Sequence, residues 1–171
     1  MFNILKATKK DAPLLAKLSM ETFLPAHGHS APKAAIDNYM ALNFSEENFN
    51  AELSDLNNQY YLLYKNDMIA GYSKVVFNQF QKDIGTKNSA YMSRIYLLKE
   101  FYDFGLGKVL FNFNLQLCKE NNQKGIWLAV WVENQKAISF YQKMGFLKVG
   151  DYDFKISETH SNPNHIMFLK F

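Results

Sequence analysis

The stretch Met92–Leu110 constrains the fold of this chain most, because its hydrophobic period changes within a few residues. Ala90 to Leu98 is rich in β-branched and aromatic residues and reads as a buried strand. Further on, Leu106, Val109, Leu110, Phe113 and Leu117 recur at helical spacing. Between them lies Gly105-Leu106-Gly107, a turn with two residues that lack Cβ. A strand, a glycine turn and a helix start together present free backbone N–H groups to an anion. The first N–H groups of a helix have no internal partner, and the macrodipole adds roughly half a positive charge there. Lys108 adds a full one. The pattern predicts a cradle for a phosphate or pyrophosphate, although two glycines before a helix are often only a tight connection.

Length and composition narrow the rest. A chain of 171 residues is read as one domain spanning 1–171, long enough to bury about two-thirds of the surface its unfolded form exposes. With 48% apolar and 16% aromatic residues, the material for a substantial core is present and disorder is not expected. The single cysteine, Cys118, allows no internal disulfide and lies in the apolar-periodic helix, where a buried, inert thiol is the default. No signal-like N-terminal run and no long apolar span are visible, so a cytoplasmic protein without a membrane partner is expected. The net charge of +3 comes from scattered lysines; it suits an anionic cofactor and gives no clustered nucleic-acid face.

Along the chain, Phe2–Ala7 alternates as a first strand, and Thr8 with Asp11 forms a plausible N-terminal cap for a helix carrying Leu14, Leu15, Leu18 and Phe23. Pro25 and Gly28 are expected to end that helix and open a polar loop, Ala26 to Ser30. The loop holds His27 and His29, read as a pair in or beside a pocket rather than a metal site, since no other ligand stands at the required spacing. Pro32 suits the first turn of a short helix with Ile36, Tyr39 and Met40 inward, and Ser45-Glu46-Glu47-Asn48 starts a third. Gln59–Tyr64 and Met68–Phe77 form strands around an Asn66-Asp67 turn, and Gln79–Ser89 is a longer hairpin loop. Gly125–Val132 reads as a strand covered on both faces, and Asn134 caps a helix that Gly145 stops. Phe146–Phe154 and His165–Phe171 are the last strands, separated by a loop containing Asn162-Pro163-Asn164. Exposed aromatics in these last strands admit a homodimer. The order is β-α-α-α-β-β-β-α-β-α-β-β, hairpins first and then a β-α-β-α unit whose helices cover a mixed sheet.

That order, with these residues, resembles the GCN5-related N-acetyltransferase (GNAT) family. Ile95-Tyr96-Leu97 lies where the family strand contacts the pantetheine arm, and Tyr102-Asp103-Phe104-Gly105-Leu106-Gly107 occupies the Gln/Arg-x-x-Gly-x-Gly/Ala loop. Val132 to Phe146 follows the family segment Asn-x-x-Ala-x-x-Phe-Tyr-x-x-x-Gly-Phe, with Asn134, Ala137 and Tyr141 in place. Gly71-Tyr72 matches a strand reading "Gly-hydrophobic". Glu21-Thr22-Phe23, Asn43-Phe44, Glu52-Leu53 and Gly71-Tyr72-Ser73-Lys74 are similar to bacterial members that acetylate spermidine and spermine. Two departures stand out. Tyr102 replaces the usual Gln or Arg, with Asp103 beside the anion site, and His165 replaces an acidic residue before Ile166-Met167.

The resemblance implies an α+β (mixed α/β) fold with a mostly antiparallel sheet, a bulge, and a fourth and fifth strand that splay apart. It implies acetyl-CoA as co-substrate, no metal, and direct attack of a primary amine, expected to be a polyamine, on the thioester. Backbone groups of Ile95, Tyr96 and Leu97 would hold the pantetheine, and one of their N–H groups would stabilise the oxyanion. The pyrophosphate would lie on residues Tyr102 to Lys108, helped by Lys143. Asn134 would both cap its helix and bond the pantetheine, Ala137 lies on the matched segment, and Tyr141 would protonate the leaving thiolate. Glu21, His27, His29 and Glu133 are candidate bases, and Glu21, Asp37, Glu46 and Glu47 a candidate acidic wall for a polycation. The alternatives are a non-catalytic acyl-CoA sensor, or acceptors such as a protein N-terminus or an antibiotic amine. A nicotinamide-dependent oxidoreductase is rejected, because position 110 is Leu where a third glycine is needed and the turn follows several strands.

Overall fold

The computed structural model describes residues 1–171, and its elements follow the expected order. They are β1 (Phe2–Lys6), α1 (Ala12–His27), α2 (Lys33–Asn43), α3 (Glu46–Glu52), β2 (Asn58–Lys65) and β3 (Met68–Val76). Then come β4 (Ala90–Leu97), α4 (Leu106–Glu120), β5 (Gly125–Trp131), α5 (Gln135–Lys143), β6 (Leu147–Lys155) and β7 (Ser161–Lys170). The strands form one seven-stranded sheet in the order β1-β2-β3-β4-β5-β7-β6, antiparallel throughout except for the parallel β4–β5 pair. No helix is long and apolar enough to cross a membrane.

Local chemistry accounts for these elements. Asn66 and Asp67 both take left-handed backbone (φ 49° and 64°), which these residue types tolerate, and so close the β2–β3 hairpin. Gly71 lets β3 approach β4, because a Cβ there would lie 2.2 Å from the Tyr96 carbonyl oxygen. Ser45 caps α3 by accepting from the Asn48 amide (3.1 Å). One face of the sheet is covered by α1, α2 and α3, whose Leu15, Leu18, Phe23, Ile36 and Phe49 cluster with Tyr60 of β2. The other is covered by α4 and α5 through Phe111, Cys118 and Ile138. Each large apolar side chain buried in this way contributes about 1.5–3 kcal/mol. The β5 strand is covered on both faces as expected. Ile126, Leu128 and Val130 join the α4–α5 core, while Trp127 stacks on Tyr91 (4.0 Å) and donates to the Gln79 carbonyl (3.1 Å) of the long hairpin loop.

Three readings of the sequence need correction. Pro25 does not end α1, which runs on to His27. A proline in the last turn forfeits one hydrogen bond at an exposed end, and the Gly28 amide still closes onto Leu24 (2.8 Å). Second, Asn162-Pro163-Asn164 is strand, because β7 begins at Ser161. Pro163 pairs with Asp153 of β6, and on its other edge its carbonyl accepts from the Val132 amide (3.0 Å) just past the end of β5, so the missing N–H falls where the β5 ladder has already ended. Third, the Thr8–Asp11 cap starts a 3₁₀ turn, Lys9–Asp11, that leads into α1. There the Asp11 carboxylate accepts from the Thr8 amide (2.7 Å).

Candidate active site

The sheet opens at its only parallel pair. β4 and β5 are partnered at Ala90–Ile126 and Tyr91–Trp127 and then separate. A register shift at Lys74/Val75 leaves Ser93 without a β3 partner, a bulge that bends β4 at this point. Beyond it the Leu98 amide donates to the Ala70 carbonyl (2.9 Å). Ladder bonds alternate along an antiparallel pair, so Tyr96 spends its amide on β3 while Ile95 and Leu97 turn theirs toward the gap. Their side chains pack with the cores beneath.

At the far end of β4 lies the glycine loop. Phe101 and Leu106 are buried beside Leu63, Ala70 and Leu110, and they pin both ends of the loop. Tyr102, Asp103, Phe104 and Gly105 between them are exposed. Asp103 and Gly105 take left-handed backbone (φ 64° and 72°), which turns the chain sharply before α4. As a result, the amides of Asp103, Phe104, Gly105, Leu106 and Gly107 make no hydrogen bond within the chain. Neighbouring free donors at a helix N-terminus are an arrangement that can hold an anion. A Cβ at Gly105 would meet nothing within 4 Å, so the space above the loop is open. Phe104 lies under the Lys65 ammonium, 3.0 Å from its ring centroid, and the Lys108 side chain is exposed beside it.

Two cavities meet at the gap. The first, about 260 Å³, is lined by Ile95, Leu128, Val130, Asn134, Ala137 and Tyr141. Asn134 caps α5 by accepting from the Ala137 amide (3.1 Å). Tyr141 packs on Phe140 (5.4 Å) and Phe146 (5.5 Å), and its hydroxyl has no hydrogen-bond partner. Burial pushes its pKa up to about 12, so it carries its proton at neutral pH. Lys143 is exposed on the same helix and does not line this cavity. Leu106 is core, so only its backbone faces the loop site.

The second cavity, about 110 Å³, lies on the α1–α2 side and is walled by Phe23, Tyr39, Phe44, Tyr96, Trp131 and Phe154. Arg94, Ser93, Asn162 and Asn164 supply its polar groups. Sequence reasoning missed these residues. The visible signals were an arginine inside an otherwise apolar strand, two positions from Tyr96, and asparagines two apart.

The four candidate bases separate clearly. Glu21 pairs with Lys17 (3.8 Å) on the outer face of α1, Glu133 and His29 are exposed, and only His27 lines both cavities. Its Nε2 lies 3.0 Å from the Tyr96 hydroxyl. Burial, with His29 adding repulsion, lowers its pKa to about 4, so the ring is neutral at physiological pH. The carboxylates expected to wall a polycation are elsewhere. Asp37 pairs with Lys33, Glu46 and Glu47 are exposed on α3, and no Asp or Glu lines the second cavity. His165 turns outward to Asp151 (2.9 Å), so it is its strand neighbours Asn162 and Asn164 that face inward. No group of three His, Cys, Asp or Glu side chains converges as a metal ion would require.

Comparison with known proteins agrees with this geometry. Residues 17–146 match the acetyltransferase (GNAT) family. An uncharacterized N-acetyltransferase from the pepI 3′ region of Lactobacillus delbrueckii subsp. lactis is 28% identical over 155 residues, covering 91% of this chain and 90% of the relative. Among solved structures, the PaiA N-acetyltransferase of Thermoplasma acidophilum, determined with coenzyme A, superposes with a TM-score of 0.78 at 20% identity. That match covers 100% of this chain and 99% of the other. A spermidine N-acetyltransferase variant from Vibrio cholerae gives 0.70 at 16% identity, over 99% and 93%.

Proposed function

We propose a specific reaction for this chain, which belongs to the acetyltransferase (GNAT) family: transfer of the acetyl group of acetyl-CoA to the primary amine of a small acceptor by direct attack. The observation that carries the reading is the open β4–β5 pair, with unpaired backbone groups along one wall and a cavity on each side. The chain fits a pantetheine thioester. The free amides of residues 103–107 suit a pyrophosphate, and the gap offers amide partners and an apolar floor for the arm. Acetyl-CoA supplies an activated acyl group, so the protein has to position the amine, place a donor at the developing oxyanion and move protons.

In this scheme the Ile95 or Leu97 amide is the oxyanion donor. The acceptor enters from the second cavity, its nitrogen bonds to the acetyl carbon and the carbon–sulfur bond breaks. The amine proton passes to His27, directly or through one water, and Tyr141 returns a proton to the coenzyme A thiolate. His27 is suited to accepting because it is neutral; a pKa of about 4 makes it a receiver only as charge develops on nitrogen. Tyr141 is suited to donating because its hydroxyl is protonated and otherwise unengaged.

The polyamine acceptor expected from the sequence rests on the resemblance of short segments in α1 to β3. The fold shared with the spermidine enzyme at 16% identity carries no acceptor information. The absence of carboxylates from the second cavity weighs toward a smaller amine without multiple positive charges. The test is thiol release from acetyl-CoA across spermidine, spermine, aromatic and aliphatic amines, amino acids and a short peptide. Release with any amine supports the transferase, and selective release with polyamines restores the sequence expectation. Coenzyme A binding without release, unchanged in Tyr141→Phe, overturns the catalytic reading in favour of a sensor.

A further inference from the structure

The floor of the second cavity holds a cation with no counter-ion of its own. Glu52 is the nearest carboxylate to Arg94 in this cluster, and it is already engaged. It accepts from Lys74 (2.6 Å) and from the Tyr60 hydroxyl. Arg94 reaches it only at second hand, donating from one terminal nitrogen to the Tyr60 hydroxyl oxygen (3.1 Å). Two cations and one carboxylate leave the cluster with an unbalanced positive charge. The titration shifts of its members point the same way. Burial would raise the Glu52 pKa, yet Lys74 and Arg94 hold it below the usual carboxylate range, while burial and the neighbouring Arg94 lower that of Lys74 despite Glu52.

Arg94 lines the cavity with donors to spare. A guanidinium has five N–H groups, and the bond to Tyr60 uses one. No fully buried side-chain nitrogen or oxygen in the molecule lacks a partner, so the unbonded Arg94 nitrogens keep some exposure, and the residue itself lines the cavity. The rings of Phe44 (5.2 Å) and Phe49 (5.6 Å) pack against the guanidinium and fix its position. Around it the wall is aromatic, its amides come from Asn162 and Asn164, and its one histidine is neutral. A polycation entering this space meets like charge. A carboxylate meets a preset planar fork in a partly desolvated site, where charge-assisted bonds are strongest.

We propose that Arg94 binds a carboxylate of the acceptor, so that the substrate is a compact amine carrying an acid group and an apolar or aromatic body. This rests on the acetyl-transfer reading and names its acceptor class. The second cavity alone, about 110 Å³, is smaller than the roughly 150 Å³ that holds a benzene ring, so the body of the acceptor has to extend into the adjoining cavity of about 260 Å³. Arg94 and His27 both line the two cavities, so an acid group at one and an amine at the other can belong to one small molecule.

The experiment pairs turnover with binding. Phenylalanine, phenethylamine and spermidine are compared as acceptors by thiol release. Phenylacetate and phenylacetamide, which have no reactive amine, are titrated calorimetrically into the coenzyme A complex. The wild type should favour phenylalanine over phenethylamine in kcat/KM by about 10- to 100-fold, as expected for a charged hydrogen-bond partner. It should also bind phenylacetate at least about tenfold more tightly than the isosteric amide. Arg94→Met should abolish both preferences, and Arg94→Lys should keep part of them. Equal binding of phenylacetate and its amide by the wild type, a comparison that needs no variant, overturns the proposal. So does a preference for phenethylamine or spermidine. If no amine releases thiol, the transferase reading fails alone, and the two titrations still decide what Arg94 binds.

Discussion

The two sides of the β4–β5 gap are built from different materials. The loop side is made of backbone: five free amides, two left-handed residues and a helix start, with the side chains of Tyr102, Asp103 and Phe104 exposed. The acceptor side is made of side chains drawn from α1, α2, β4, β5, β6 and β7. A backbone site tolerates almost any residue whose φ and ψ it can bear, so the usual Gln or Arg can be absent here without removing the anion donors. A side-chain site is rewritten by single substitutions. Substitutions on the loop side should therefore change the parameters of acetyl-CoA, and those on the far side the parameters of the amine, with Tyr141 acting where the two meet.

The largest effect is expected at that meeting point. Tyr141→Phe removes a proton donor and little packing, since the ring keeps its contacts with Phe140 and Phe146. The turnover rate should fall about 100-fold or more with KM for acetyl-CoA nearly unchanged, measured by steady-state thiol release. A parallel loss of cofactor affinity would instead make Tyr141 part of the binding wall.

Next in size is a pH effect on the acceptor side. The folded His27 pKa, about 4, lies below the ordinary histidine value of about 6.5. Between those values the unfolded chain binds the proton and the folded chain does not. Stability associated with neutral His27 is therefore complete above about pH 6.5 and is lost as pH falls toward 4. The contribution is about 2–3 kcal/mol, taken from the shift and discounted for the partial exposure of the ring. Glu52 adds in the same direction at lower pH, because its depressed carboxyl pKa gives stability that is lost on protonation. His27→Gln should flatten the stability curve from denaturant melts between pH 6.5 and 4, and an unchanged slope would mean that the ring is already charged in the fold.

The same contrast decides what was legible in the sequence. The order of elements along the chain, the Asn66-Asp67 hairpin, the glycine loop and the Asn134 cap all follow from local rules, and together with the family resemblance they carried the fold. The acceptor cavity did not follow, because its walls come together only in the tertiary structure. Pro25 and Pro163 were read by their local tendency to break structure. Each lies where its missing N–H costs little: the exposed end of a helix, and a strand position beyond β5. Those two misreadings put His27 in a supposed loop, where it still reads as a pocket histidine and candidate base, and hid Asn162 and Asn164 in another. The acidic wall failed for a related reason, since Lys17 and Lys33 hold Glu21 and Asp37 along their own helices at (i, i+4) spacing. Arg94 was visible as a charge in a buried strand, but its lack of a counter-ion shows only once Glu52 is seen to be taken by Lys74.

On the loop side, Gly105→Val tests whether the cradle depends on backbone shape. A Cβ has room there, but φ of 72° disfavours any L-residue, and most of all a β-branched one. Relaxing that strain would turn the amides out of register. KM for acetyl-CoA should rise about tenfold with kcat and acceptor KM held, the cost being on the order of 1–2 kcal/mol. An equal change in acceptor KM would break the division between the two sides.

The smallest effect is expected at Asp103, where the backbone account is most exposed to failure. The carboxylate adjoins the free amides of residues 103–107, so it repels whatever anion they hold. It is also solvent-exposed, so that repulsion is screened by water and salt. Asparagine keeps the tolerance for left-handed backbone that the position needs. Asp103→Asn should therefore tighten coenzyme A binding only about two- to threefold at low ionic strength, and the gain should vanish by roughly 0.5 M salt in calorimetric titrations. A gain of tenfold or more that persists in salt would place the carboxylate against the anion itself. The loop would then be a site governed by its side chains, and the contrast between the two halves of the gap would not hold.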